Sequence, residues 1–293
     1  MPDIAHALAD KELEEIEKRI EEIYRRANAE VEKKAAAYFK RFEALDKKKR
    51  ALVESGEMTE DAYKKWKKGK IMTGKHWTAL KEQTAEAMNQ ANVTAMEYVN
   101  GRVPSVYAVN RNSVAQALNK QVKGFSFEMV DAHTVKNLAT KDKTLLPYKV
   151  VNGAKDVRWN TQKVNSEILQ GILQGDSIPN LSKRLRHVTE MNRASSVRNA
   201  RTAITSAENK GRIDMLHDAE DKGVQTKKVW IATSDNRTRE AHEELDGQEA
   251  WVDEPFENEF GSIMYPGDPD ADPANVYNCR CTLGYHVVGF HRR

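Results

Sequence analysis

The feature that most constrains the fold is a stripe of apolar residues near the N-terminus of this 293-residue chain. Its members recur three or four residues apart, which is the period of one face of an α-helix. They are Leu13, Ile16, Ile20, Ile23, Ala27, Val31, Ala35, Tyr38, Phe42 and Leu45. No Pro or Gly interrupts the stripe. A helix this long is either a self-associating coiled coil or one arm of an intramolecular hairpin, and the sequence leaves both open.

The next part of the chain predicts further helices. Gly56 marks a break, and Thr59 is placed to cap a second, Lys-rich helix. A third helix is predicted from about His76 to Val99, ending before Gly101 and Pro104. Residues 1–100 are therefore expected to form a helical arm or hairpin. Residues 101–158 show no clear period and are expected to form an irregular connector.

The last part of the chain changes its period at Gly223. Before it, we predict a helix from Gln162 to Gln174 capped by Asn160, a short helix through Leu185, and a long helix from Ala194 to Lys222. After it, the period falls to two, and the best strands are 227–233 and 277–288. We expect one domain over 159–293, helical at 159–223 and mixed at 224–290. The fold class predicted is α+β, predominantly helical.

Charge is distributed unevenly. Residues 40–75 contain twelve Lys/Arg and six Asp/Glu, a balance of +6, whereas residues 229–275 contain two Arg and thirteen Asp/Glu, a balance of −11. Such asymmetry favours different partners for the two regions. We expect no membrane segment, because no apolar run approaches the ~20 residues that span a bilayer. Two cysteines are too few for a disulfide framework, so we expect folding in a reducing cytoplasm.

Both cysteines lie close to polar residues of the types that form sites. Cys279 and Cys281 are two apart on a predicted strand, so their thiols share one face. With His242 they would supply three soft ligands, and Asp235 or Asp246 a fourth, a set that zinc accepts. The spacing is shorter than in most zinc sites, and buried thiols without an ion are the alternative. We expect no cofactor, with zinc as the alternative.

The residue patterns do not favour a catalytic role. His242 would be a general base, but no nucleophile accompanies it, and a structural hydrogen bond is preferred. Glu257 and Glu259 resemble the paired carboxylates of ADP-ribosyl transfer, yet they also fit an alternating strand with a solvated face. No Walker loop or zinc-protease motif is present. The prediction is therefore no catalytic residue and no enzymatic activity.

A basic region is the candidate for contact with double-stranded DNA, because Lys and Arg neutralise phosphates irrespective of base sequence. Trp66 and Trp77 alternate with its charges. A solvated helix face is the alternative. The residues concerned are Lys47, Lys48, Lys49, Arg50, Lys64, Lys65, Lys67 and Lys68.

Several spaced motifs together resemble one family. Ala200-Arg201-Thr202 is followed by the run from Trp230 to Arg239, by His242, by Leu245-Asp246-Gly247, by Pro266-Gly267-Asp268, and by Asn278-Cys279-Arg280-Cys281. This succession resembles the Mu F-like domain of tailed-phage minor head proteins, the head morphogenesis family, over roughly residues 160–285. Its polar motif residues are Arg201, Arg237, Arg239, Asn278 and Arg280.

The resemblance implies a low-copy structural protein of a phage head. It would be made in the cytoplasm of the bacterial host and reside in the virion, at the head or neck. Its expected partners are the portal protein, a scaffold or the major capsid protein, and also double-stranded DNA. Two other functions stay open: a metal-dependent or ADP-ribosyltransferase-like enzyme centred on His242, Cys279 and Cys281, and a DNA-binding accessory protein without a role in the virion.

Overall fold

A computed structural model describes residues 3–174, 176–233 and 235–290. Long helices dominate, and a small set of strands follows them, so the predicted α+β, predominantly helical class is confirmed. The helices are α1 Ile4–Glu54, α2 Glu60–Thr73, α3 Lys75–Gln121, α4 Ala132–Lys141, α5 Gly153–Leu173, α6 Ile178–Asp221, α7 Glu240–Glu243 and α8 Pro273–Val276. The strands are β1 Val224–Ile231, β2 Glu249–Trp251, β3 Phe256–Asn258, β4 Gly261–Ile263 and β5 Thr282–Phe290.

The apolar stripe forms the buried face of α1, as its period predicted, except at its end, where Leu45 is 44% exposed. Ile16, Ile20 and Val31 are fully buried. The predicted cap of α2 is also confirmed, since Thr59 accepts a hydrogen bond from the backbone N–H of Ala62 at 3.2 Å.

The prediction that the third helix ends before Gly101 is wrong, because α3 continues through Pro104 to Gln121. Proline removes one backbone hydrogen bond and disfavours a helix interior. Here the turns after it carry buried Val106, Val114 and Leu118, and this packing outweighs the local penalty. Residues 101–121, expected to be irregular, are therefore helical.

Two other boundaries differ from prediction. Asn160 is not a cap but a buried residue inside α5, which begins at Gly153 behind the capping side chain of Asn152. The two helices predicted to end at Leu185 and to start at Ala194 are one helix, α6, because buried Val188 and Asn192 continue its inward face between them.

The chain divides into two compact units, each built from separate segments. One contains Met1–Lys18, Met96–Lys149 and Val197–Arg293, and the other contains Arg19–Ala95 and Val150–Ser196. Among the described residues, no helix is both long and apolar enough to cross a membrane.

The first unit contains the strands. β1 is central in an antiparallel sheet of order β2-β1-β5, and β3 pairs with β4 in a separate hairpin. The core beneath the sheet joins Leu216 of α6 to Trp230, Leu245, Phe256 and both cysteines. The cysteines do not lie on a strand as predicted, because β5 begins only at Thr282. They lie in the extended segment before it, where side chains of α6 bind the backbone in place of a neighbouring strand.

Candidate functional site

The site is built on a polar stripe of helix α6. Arg201, Thr205, Glu208 and Arg212 recur at spacings of four, three and four, so they lie on one face. Buried polar groups require partners, because each unpaired one costs about 1–3 kcal/mol. The polar side chains on this part of α6 are each at most 5% exposed, namely those of Thr202, Thr205, Glu208, Asn209 and Arg212. Polar groups of another segment must therefore pair with them.

That matching segment is the backbone of residues 278–283. The hydroxyl of Thr205 donates to the Cys279 carbonyl at 2.7 Å, and the backbone N–H of Asn278 donates to the Thr202 hydroxyl at 3.0 Å. The Asn209 side chain donates to the Cys281 carbonyl at 3.2 Å and accepts from the Leu283 N–H at 2.7 Å. Helix α6 therefore sets the position of both cysteines along its axis.

Asn278 begins this segment in a left-handed conformation with φ +60, alone among the described non-glycine residues. Asparagine tolerates this region better than most residues do. Arg201 donates to its side-chain oxygen at 3.3 Å and to the Glu17 carboxylate at 2.7 Å. Two members of the predicted polar motif, Arg201 and Asn278, are therefore brought together.

The thiols of Cys279 and Cys281 converge on the ring of His242. His242 Nδ1 lies 3.6 Å from each Sγ, and all three side chains are about 2% exposed. The Trp230 ring stands edge-on to the imidazole with centroids 5.3 Å apart. His242 Nε2 is buried and has no hydrogen-bond partner among the described residues. The three soft ligands predicted from the sequence thus lie together.

The two thiols titrate as a pair. Because their sulfurs share one hydrogen bond, the pKa of Cys281 is lowered and that of Cys279 is raised well above its ordinary value. Burial opposes ionisation of both groups. One of the two therefore loses its proton far more readily than the other.

Arg280 lies between the cysteines, and its side chain forms a different contact. Its guanidinium donates to both oxygens of Asp235, at 2.7 and 2.6 Å. This pairing holds the pKa of Asp235 well below its usual range. Arg237 is exposed and lies 3.6 Å from the same carboxylate, while Arg239 donates to the Tyr277 carbonyl. Asp235 is thus engaged with arginine and does not join the thiols.

The remaining motif residues shape turns. Asp246 accepts from the backbone N–H of Ala232 at 2.8 Å, so it too lies apart from the thiol–imidazole group. The Asp268 side chain is 5% exposed and accepts from the N–H groups of Met264 and Asp270, each at 3.0 Å. Gly267 before it lies directly against the backbone of Ser206 on α6.

Beside the thiols and His242 there is a hollow of about 10 Å³. It is lined by Thr233, Arg237, Thr238, Arg239, His242, Asn278, Cys279, Arg280 and Cys281. Its volume is close to that of one water-sized probe. Glu257 and Glu259 are not among its lining residues. Both are exposed on the β3–β4 hairpin, and Glu257 accepts from Ser262 at 2.6 Å.

The basic residues proposed for DNA lie in the other unit. Lys47, Lys48, Lys64, Lys65 and Lys68 are exposed, whereas Arg50 and Lys67 approach Asp46 at 3.3 and 3.6 Å. Lys49 is half-buried.

The two tryptophans of this region pack against other side chains of the protein and are not available for stacking on nucleic-acid bases. Trp77 is fully buried, and Trp66 stacks on Phe42 and Tyr63 with centroids 6.3 and 6.0 Å apart. Their rings join α1 to α2 and α3.

Sequence reasoning missed the residues that hold the site in place. These are Thr205, Glu208, Asn209 and Arg212, whereas Thr202 was noted only as part of the motif Ala200-Arg201-Thr202. The sequence does contain a signal for these residues, because polar residues recur at helical spacing along one side of α6. Their partners are backbone atoms some 70 residues away, which no local pattern specifies.

The segment that contains the polar stripe of α6 and the Asn-Cys-Arg-Cys run is similar to proteins of one known family. Residues 162–284 match the family described as Phage Mu protein F like protein, so the predicted resemblance is confirmed for this segment. Among curated proteins, minor head protein GP7 of Bacillus phage SPP1 is 31% identical over 123 residues, covering 42% of this chain and 39% of that protein. NAD(+)–arginine ADP-ribosyltransferase EFV of Enterococcus faecalis is 33% identical over 121 residues, covering 41% of this chain and 25% of that protein.

The chain therefore spans less than half the length of either curated relative. None of the solved structures matches it.

Proposed function

We propose that this protein is a structural component of a tailed-phage head, acting in head assembly through protein–protein contacts. The observation that carries the proposal is the inward pairing of the motif residues. Arg201 binds Asn278, Arg280 binds Asp235, and Asn209 binds the backbone around Cys281. Motif side chains that are paired within the protein stabilise one rigid shape and are not available to bind a substrate. The similarity to minor head protein GP7 supports the same function.

The docking surface of this rigid module would be acidic. Glu240, Glu243 and Glu244 are exposed around α7 and form no ion pair among the described residues. Exposed Trp251 and Tyr277 add apolar area in the same module. Such a surface fits a basic patch on a partner, because complementary charge steers association and fixes the register. The portal protein, a scaffold or the major capsid protein would provide that patch.

An enzymatic function is less well supported. The hollow next to His242 holds about one water molecule and has no room for a substrate. The similarity to the ADP-ribosyltransferase covers only a quarter of that protein, so its named activity need not belong to the shared part. Glu257 and Glu259 lie on an exposed hairpin outside the hollow.

The direct test is quantitative mass spectrometry of purified phage particles and of empty heads. We expect this chain in both, in a low and constant ratio to the major capsid protein. Absence from both types of particle would refute a role in the virion and favour an accessory protein.

The docking surface is tested by charge reversal. Replacing Glu240, Glu243 and Glu244 with Lys should abolish incorporation into particles without unfolding the chain, as monitored by circular dichroism. A variant with Lys at exposed Glu14, Glu15 and Glu21 carries the same change in charge elsewhere and should be incorporated normally. Equal incorporation of both variants would contradict an acidic docking surface.

We propose double-stranded DNA as a second ligand, because five lysines around the α1–α2 junction are exposed and none of them forms an ion pair among the described residues. Replacing Lys64, Lys65 and Lys68 with Glu should weaken binding of a random duplex and lower the slope of log K against log salt by about 3. Glu at Lys136, Lys141 and Lys143, which are also exposed, is the matched control. Equal salt slopes for both variants and the unaltered chain would exclude this contact.

A further inference from the structure

We propose that His242, Cys279 and Cys281 bind one Zn²⁺ ion, which ties helix α7 to the segment before β5 and has a structural role. The three donor atoms lie within 4.8 Å of one another and belong to buried side chains. The proposal adds a ligand to the head-assembly function and does not depend on it.

The spacing of the donor atoms fits a tetrahedral zinc ion. With Zn–S bonds of about 2.3 Å and a Zn–N bond of about 2.0–2.1 Å, two ligands at a tetrahedral angle are separated by about 3.6 Å. His242 Nδ1 is 3.6 Å from Cys279 Sγ and 3.6 Å from Cys281 Sγ. Both sulfur–nitrogen edges of the ligand tetrahedron are therefore already at the required length.

The donors are held in place by contacts that do not involve an ion. The carbonyl of Cys279 accepts from Thr205 and that of Cys281 from Asn209, while the Cys281 N–H points to Cys279 Sγ at 3.4 Å. An N–H directed at a sulfur stabilises negative charge there, which is the form in which cysteine binds metals. Trp230 contacts the imidazole and limits its rotation. Zinc binding would consequently require little rearrangement.

The chemistry of the donors selects the ion. Two thiolates and an imidazole are soft ligands that suit Zn²⁺, whereas Mg²⁺ and Ca²⁺ require oxygen ligands. The nearby carboxylates do not contribute oxygen, since Asp235 pairs with Arg280 and Asp246 accepts from Ala232. A disulfide between residues two apart would be strained, and both cysteines are free thiols.

The space around the donors separates a structural ion from a catalytic one. Structural zinc sites usually have four protein ligands, whereas catalytic sites have three and keep the fourth position for water or substrate. With three protein ligands, the space at the fourth position decides the role. No fourth protein ligand is found among the described residues. The adjoining hollow of about 10 Å³ admits one water molecule. That water would complete the tetrahedron, and a substrate would not fit.

The test uses the full-length chain without a histidine tag, produced in zinc-supplemented medium and freed of loosely bound metal by gel filtration. Elemental analysis should find one zinc ion per chain. Modification of the two cysteines by a thiol reagent should then release that ion, and a chromogenic zinc indicator would measure its release. Replacing zinc with Co²⁺ should give intense near-ultraviolet absorption from sulfur-to-cobalt charge transfer.

Variants assign the ligands. Cys281→Ser and His242→Gln should each reduce zinc to a small fraction of one ion per chain and remove the cobalt absorption. His217→Gln alters a histidine outside the site and should retain both. Zinc-free protein from supplemented medium that also binds no added Zn²⁺ or Co²⁺ would overturn the proposal. That measurement uses the unaltered chain and therefore does not depend on the folding of a variant. One zinc ion per chain in either ligand variant would overturn the proposal as well.

Discussion

The close approach of Gly267 to the backbone of helix α6 provides a test of how the module is packed. Gly267 has φ +82, and a Cβ added to it would lie 2.8 Å from the backbone nitrogen of Ser206 and 2.9 Å from its Cα. Real Cβ atoms do not approach backbone atoms so closely. Gly267→Ala must therefore push the Pro266-Gly267-Asp268 turn away from α6.

The expected cost has two parts. A left-handed backbone costs a residue with a Cβ about 1–2 kcal/mol. Overpacking against a rigid neighbour adds typically about 1–3 kcal/mol. Gly267→Ala should therefore lower the free energy of unfolding by about 2–5 kcal/mol. Gly247→Ala is the matched control, because Gly247 has φ +75 and nothing lies within 4 Å of its added Cβ. It should cost only the first part, about 1–2 kcal/mol.

The two variants and the unaltered chain would be compared by urea unfolding, monitored by circular dichroism and by fluorescence. The unfolded-state effect of Gly→Ala is shared by both substitutions and cancels in the comparison. We expect a lower midpoint for Gly267→Ala at an unchanged slope, which denotes a change in stability alone. Costs equal within about 0.5 kcal/mol would show that the turn relaxes freely and would refute the close approach.

Three further outcomes follow from buried polar groups. Asn209→Leu leaves the Cys281 carbonyl and the Leu283 N–H unpaired, so thermal unfolding should show a loss of about 1–3 kcal/mol; an unchanged Tm would contradict this. Thr205→Val removes the bond to the Cys279 carbonyl, and metal-free protein should then react faster with a thiol reagent, whereas an equal rate would argue against the clamp. Burial lowers the pKa of Lys228 to about 8, and the unfolded chain retains that proton up to about pH 10. Stability relative to Lys228→Met should therefore rise between these values, and a Tm difference that is flat with pH would exclude the effect.

Local sequence patterns predicted the helices and strands whose formation depends on their own residues. The stripe through Ile16 and Ile20 predicted α1, and Thr59 predicted the start of α2. The fall in period after Gly223 predicted β1 and the change from helix to sheet. The motif order from Arg201 to Cys281 predicted the resemblance to the Phage Mu protein F like family, because several independent spacings had to agree, and residues 162–284 do match that family. The meeting of His242 with the cysteines was also anticipated from ligand type.

Other features depended on contacts distant in sequence. Pro104 locally predicts a helix end, and the helix persists only because buried side chains of later turns pack against the rest of the unit. Trp66 lies among lysines in the sequence, yet its ring stacks on Phe42.

The sequence by itself thus determined the helical periods, the strand signals and the set of soft ligands, since these are properties of neighbouring residues. Only the tertiary structure decided that Asp235 pairs with Arg280 instead of joining the thiols. It also decided that α6 fixes the cysteine segment through Thr205 and Asn209. The physical reason is that a buried polar group must find a partner wherever the fold provides one, and that partner is specified by the packing of distant segments.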